Sequence, residues 1–188
     1  METNRGKIAI AGSHGTGKSS LAKELARRLG GTYIYDTVRE EVVPKDIFSI
    51  NEKTPPQGQI WLVARQWELE RTTKQPWVAD KNLFDYWVYA KDEFADYIKQ
   101  TIWMFVKEDA HYDFVFYLPI EFPMELDGIR SENDAFQKEV DRRYKKLLDE
   151  LGIKYITLPS FINESASKEE AIRKRVDLAL SYIKKQEE

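Results

Sequence analysis

A short apolar run, Ile8-Ala9-Ile10-Ala11, leads directly into Gly12-Ser13-His14-Gly15-Thr16-Gly17-Lys18-Ser19, and this junction constrains the fold more than any other stretch of the chain. The run has the length and continuity of a strand buried on both faces. After the loop, Leu21, Ala22, Leu25, Ala26 and Leu29 recur at helical spacing until Gly30 and Gly31 supply a stop. Strand, glycine-rich loop and helix thus follow one another as the pattern G-x-x-x-x-G-K-[ST] requires. Glycines let successive backbone N–H groups converge on phosphate oxygens, and the positive end of the helix adds a favourable field. Lys18 is expected to reach the β and γ phosphates and Ser19 to offer its hydroxyl to magnesium. The nucleotide-binding segment runs from Gly12 to Ser20. Within it, His14 could line the nucleotide but reads more simply as a solvent-facing loop position.

Further along, short strand candidates alternate with helix-length periodic segments. Tyr33 to Tyr35 forms a strand ending at Asp36, Ile60 to Lys74 a helix, and Trp77 to Asp80 a third strand. The intervening Pro44 to Gly58 reads as irregular. Helical spacing returns at Phe94, Ile98, Ile102 and Phe105, followed by the aromatic strand Phe114 to Leu118. A helix from Asp134 carries Phe136, Val140, Tyr144 and Leu147 and stops at Gly152; Tyr155 to Leu158 is the fifth strand. Ser167 and Glu170 form a capping box opening the last helix. Strands joined by helical crossovers predict an α/β fold, a mostly parallel five-stranded sheet covered on both faces.

Composition narrows the partners. At 188 residues the chain is expected to form one domain around a single core. A formal net charge of −3 lacks the basic excess that binding along a nucleic-acid backbone demands. No cysteine is present, which fits a reducing compartment such as the cytoplasm. The polar Met1 to Lys7 and the brief apolar run after it are expected to form neither a leader nor a membrane span.

Beyond the loop, the arrangement resembles nucleoside and nucleotide kinases of the thymidylate-kinase type, and the P-loop AAA-domain group that includes nicotinamide riboside kinase-like proteins. The likeness rests on Lys7 to Ser20, Val38-Arg39-Glu40, Asp80, Asp85 with Tyr89, and Asp127-Gly128-Ile129-Arg130. It implies a three-layer P-loop NTPase sandwich with strand order 2-3-1-4-5, in which Asp80 stands near Ser19 and magnesium. There Asp80 would either hold a metal-bound water or accept the proton of the attacking hydroxyl. Such kinases often carry arginine after that aspartate, where this chain has Lys81. The resemblance also implies an arginine facing the acceptor, at Arg39, and a lid spanning about 124–146 whose arginines close over phosphates, at Arg130 and Arg142. Arg143 reads as part of a solvated basic face. Among the aromatics, Phe84 and Tyr86 follow a strand end, where open α/β sheets bind ligands, and are the candidates for contact with an acceptor.

The expected activity is transfer of the γ-phosphoryl of Mg-ATP to a nucleoside, nucleotide or related small molecule, by a monomer or a homodimer. A competing reading is a regulatory ATP- or GTP-binding NTPase module acting on a partner. Neither Asn51-Glu-Lys nor Asn82-Leu-Phe-Asp85 forms the N-K-x-D motif that reads guanine, so ATP is favoured.

Overall fold

The computed structural model describes residues 6–50, 53–90, 92–121 and 134–186. Its central strand, β1 (Lys7–Ala11), pairs in parallel with β3 (Trp77–Ala79) on one side and β4 (Phe114–Tyr117) on the other. Outside these lie β2 (Thr32–Ile34) and β5 (Ile156–Thr157), completing a wholly parallel sheet of order β2-β3-β1-β4-β5. The expected strand order is therefore the observed one.

Alternation along β1 divides the interior in two. Ile8 and Ile10 face a cluster with Leu21, Leu25, Val176 and Ala179, from α1 (Lys18–Leu29) and α7 (Lys168–Lys185). Ala9 and Ala11 face the other, larger cluster, where small side chains on the strand leave room for bulky ones. That layer contains α3 (Pro56–Thr72), α4 (Leu83–Val88), α5 (Asp96–Asp109) and α6 (Asp134–Glu150), with α2 (Val43–Lys45) completing the helices. Strands whose side chains are buried above and below must read as unbroken apolar runs, which is why Ile8 to Ala11 and Phe114 to Tyr117 do.

Three segments differ from the sequence reading. Val38–Val42 makes a turn of π-helix that runs into α2, and α3 begins at Pro56, earlier than expected. Proline suits a first helical position because the amide it lacks would have no partner there. The six-residue α4 is too short to show a period. It is set by a capping box in which Asn82 accepts from the Phe84 N–H while Asp85 accepts from the Asn82 N–H. As predicted, the Ser167 hydroxyl accepts from the Glu170 N–H at the start of α7.

Glu70, on the last turn of α3, is buried under the sheet. It accepts from Gln66 Nε2 at 2.9 Å and from the Tyr112 hydroxyl, which in turn accepts from the Leu83 N–H that opens α4. Burial pushes its carboxyl up to about 8 against these opposing hydrogen bonds. In the unfolded chain the group ionises near 4.5, so between those values the native state binds the extra proton. Its contribution is complete below pH 4.5 and is lost as pH rises through about 8. Glu70→Gln should flatten the decline of stability across that window, read by urea unfolding at several pH values. An unaltered slope would show that Glu70 does not hold its proton.

Candidate active site

Parallel pairing brings the carboxyl ends of β3, β1 and β4 together, and each continues into a loop at the same edge. Gly12 leaves β1 with φ of 128°, and Gly15 and Gly17 also adopt left-handed values. A Cβ on Gly12 would lie 2.5 Å from the Leu118 carbonyl oxygen at the end of β4, so only glycine allows the loop to turn this tightly against the sheet. Gly17 caps α1, whose first residues present their amides to the loop's interior.

Lys18 is almost wholly buried, its ammonium donating to the carbonyls of Gly12 at 2.5 Å and Ser13 at 3.0 Å. The Asp85 carboxylate stands 3.9 Å away. Thr16 ties the loop to itself through its hydroxyl and the Ser13 carbonyl. Among the described residues Ser13 Oγ is buried without a hydrogen-bond partner, a polar atom in the loop that an anion's oxygens would satisfy. Ser19 is half-buried at the start of α1, and Ser20 is exposed.

The Asp80 side chain is buried near Ser19, whose hydroxyl favours its charged form, and accepts from the Tyr33 hydroxyl at 3.1 Å. Burial raises its proton affinity first, and the neighbouring Asp36 carboxylate adds to this; Lys18, the Ser19 hydrogen bond and Lys81 oppose it. The expected adjacency of Asp80 and Ser19 is thus present. Among the described residues no three His, Asp or Glu side chains converge as an all-protein cage. Magnesium does not need one, since it keeps waters and takes one or two protein oxygens plus substrate phosphates. Ser19 and Asp80 are a suitable donor pair.

From this edge a cavity of about 360 Å³ opens between the loop, the π-turn, α3, α4 and α6. Lys18, Asp36, Asp80 and Asp85 form its polar floor, while Tyr86, Tyr89, Leu62 and Phe136 supply apolar walls. His14 contradicts the solvent-facing expectation: it is buried in this cavity, its ring nitrogen 3.1 Å from the Tyr89 hydroxyl and its ring 5.9 Å from that of Phe136. Loop position alone does not show that α4 and α6 close over it. Phe84 also departs from expectation. It points into the core against Tyr112, at a ring separation of 5.2 Å, and Tyr86 two residues later reaches the cavity.

Arginines are sorted by helix face. Arg39 lines the cavity on the π-turn, 3.8 Å from Asp36, while the nearby Glu41 pairs with Arg65. Arg142 points outward, largely exposed and held by both oxygens of Glu139. Its neighbour Arg143, expected on the solvated face, turns inward to the Ala90 carbonyl and to Asp92 at 2.6 Å. A step of one residue along a helix rotates the side chain by about 100°, enough to exchange the two. Arg130 and the motif around it lie outside the described residues, as does part of the expected lid.

Sequence reading missed three contributors. Asp36 follows β2 as Asp80 follows β3, and that shared strand-end position was the available signal. Gln137 donates to the His14 carbonyl at 2.7 Å, and Arg175 of α7 donates to the Thr16 carbonyl at 3.0 Å and to Glu121 at 3.2 Å. Desolvation lowers the Arg175 guanidinium to about 10, with Glu121 opposing. Nothing local in the sequence marks either residue.

The chain matches the AAA domain family over residues 7–165 and belongs to it. No curated protein matches it in sequence. Its fold is shared with deoxyadenosine kinase from M. mycoides, solved with dCMP and dCDP bound, at 18% identity and a TM-score of 0.63 over 95% of this chain and 98% of that one. Thymidylate kinase from Ehrlichia chaffeensis superposes at 13% identity and 0.65, covering 96% and 99%. NadR in complex with NR gives 16% and 0.68 over 92% of this chain, which spans only 49% of NadR. Among the described residues no helix is long and apolar enough to cross a membrane.

Replacing Gly12 with alanine imposes both a left-handed φ on a side chain and a collision with Leu118. Gly12→Ala should lower stability by ~1–3 kcal/mol in chemical denaturation. Wild-type stability in that variant would show that the loop turns here without needing glycine.

Proposed function

We propose that this protein transfers the γ-phosphoryl of Mg-ATP to a nucleoside, nucleotide or related small molecule. One observation carries the reading: Lys18 of the loop and Asp80, near Ser19, line a cavity that extends beyond the loop to α3, α4 and α6. A regulatory NTPase needs only the loop, whereas this cavity of about 360 Å³ runs on from Lys18 to walls at Leu62, Tyr86, Phe94 and Phe136, a size suited to a small organic ligand.

In this reading the loop from Gly12 to Ser20 cradles the triphosphate and Lys18 exchanges its carbonyl contacts for β- and γ-phosphate oxygens. Ser19 would hold magnesium, with Asp80 either holding one of the metal-bound waters or serving as the base, and the ion would neutralise charge on the phosphate oxygens. The acceptor hydroxyl enters from the cavity. Its oxygen bonds to the γ-phosphorus as the bond from that phosphorus to the bridging oxygen breaks, its proton passes to a carboxylate, and ADP departs. Asp80 and Asp36 are the two carboxylates at the inner end; burial and Asp36 raise the proton affinity of Asp80, which suits it to the base role where it does not itself hold magnesium. Arg39 and Arg143 reach the cavity from opposite sides. Arg130 retains a proposed part as the lid arginine; Arg142 has none.

Lys18→Ala removes the ammonium while leaving the loop's glycines in place. It should weaken Mg-ATP affinity by ~10- to 100-fold in calorimetric titration, the range expected for losing a charge-assisted hydrogen bond. Unchanged affinity would refute the phosphate site. Release of ADP that no nucleoside, nucleotide or related hydroxyl compound stimulates would refute the transfer.

A further inference from the structure

Resting on the proposed phosphotransfer, the geometry points to a phosphate-free nucleoside, neutral or cationic, as the acceptor rather than a nucleoside monophosphate. A monophosphate brings a charge of about −2 and needs cations free to converge on it. The cavity offers the reverse. Its described lining contains five carboxylates, Asp36, Asp80, Asp85, Asp92 and Glu93, against Lys18, Arg39, Lys81 and Arg143. Lys18 belongs to the donor's phosphates, leaving three cations on the acceptor side.

Each of those three already faces an acid. Lys81 stands 3.4 Å from the buried Asp85 and lies over the Tyr89 ring, 4.2 Å from its centre. Arg39 is 3.8 Å from Asp36, and Arg143 is 2.6 Å from Asp92. These pairs come from different elements, the π-turn, the start of α4 and α6, and they do not form a common anion site. An acceptor phosphate would have to break them while approaching carboxylates that the donor leaves in place.

What the cavity does provide matches an uncharged glycoside. Tyr86, Tyr89, Phe94 and Phe136 make aromatic and apolar walls on which a planar base can lie, with Tyr89 and Phe136 packed edge to face at 6.0 Å. Asp36 and the amide of Gln59, buried on the same lining, are groups of the kind that hydrogen-bond ribose hydroxyls or base edges. A positively charged base would be favoured further by Asp92 and Glu93 at the rim. The transfer then joins a sugar hydroxyl oxygen to the γ-phosphorus, releases ADP and leaves the hydroxyl proton on a carboxylate.

The experiment measures transfer from radiolabelled Mg-ATP by the full chain to three sets of acceptors: neutral nucleosides, pyridinium N-ribosides, and the 5′-monophosphates of both. The expected result is kcat/KM at least ~100-fold higher for the preferred nucleoside than for its own monophosphate. The double variant Asp92→Asn, Glu93→Gln, which removes two carboxylates and one of the two acids paired with Arg143 while Glu139 stays, should narrow that ratio by ~10-fold. A monophosphate as the better acceptor, or a ratio unmoved by the double variant, would overturn the inference while leaving the phosphotransferase reading intact. Transfer to none of the acceptors, with Mg-ATP still raising the melting temperature, would overturn both.

Discussion

The close approach of the Gly12 backbone to the Leu118 carbonyl is the contact on which the site depends. A side chain at position 12 would separate β1 from β4 at the point where the loop begins, and the loop's amides would no longer converge. Because β1 lies between β3 and β4, one tight turn also fixes where Asp80 stands. In a parallel sheet all strands end at the same edge, so groups far apart in the chain meet there without long-range loops to hold them.

Keeping carboxylates at that edge has an electrostatic cost that the fold distributes. Asp80 and Asp85 are both nearly inaccessible, and each is surrounded by donors: Ser19 and Tyr33 around the first, Lys18, Lys81 and the Asn82 amide around the second. Buried charge is tolerated where hydrogen bonds and opposite charge meet it. Asp85 does two jobs with its two oxygens, one closing the capping box of α4 and the other facing the lysines. The short helix and the buried ammonium are therefore coupled. Glu70 is handled differently: burial raises its proton affinity against the hydrogen bonds from Gln66 and Tyr112.

Helices remote in sequence complete the loop from both layers. Arg175 on α7 reaches the Thr16 carbonyl from one face of the sheet, and Gln137 on α6 reaches the His14 carbonyl from the other. Such contacts leave the outward carbonyls of the loop satisfied while its amides stay directed inward. The same α6 supplies Phe136 and Arg143 to the cavity, so this helix joins the glycine-rich loop to the cavity wall.

The glycine-lysine loop, the alternation of apolar runs with helical periods, and the cap at Ser167 were legible in the sequence because each is a local rule, settled by backbone sterics, periodicity or a hydrogen bond spanning three residues. Strand order came from resemblance to known kinases, and the shared edge then located Asp80 beside Ser19. The burial of His14, the inward turn of Arg143 rather than Arg142, the retreat of Phe84 into the core and the roles of Asp36, Gln137 and Arg175 were decided by tertiary packing alone. Each of these depends on which neighbouring element covers a side chain, and a neighbour brought close by chain folding leaves no mark on the residues beside it in sequence. The chain by itself determined the glycine-rich turn and the lysine that follows it; the packing of α3, α4 and α6 around the sheet edge decided that a cavity opens beside them.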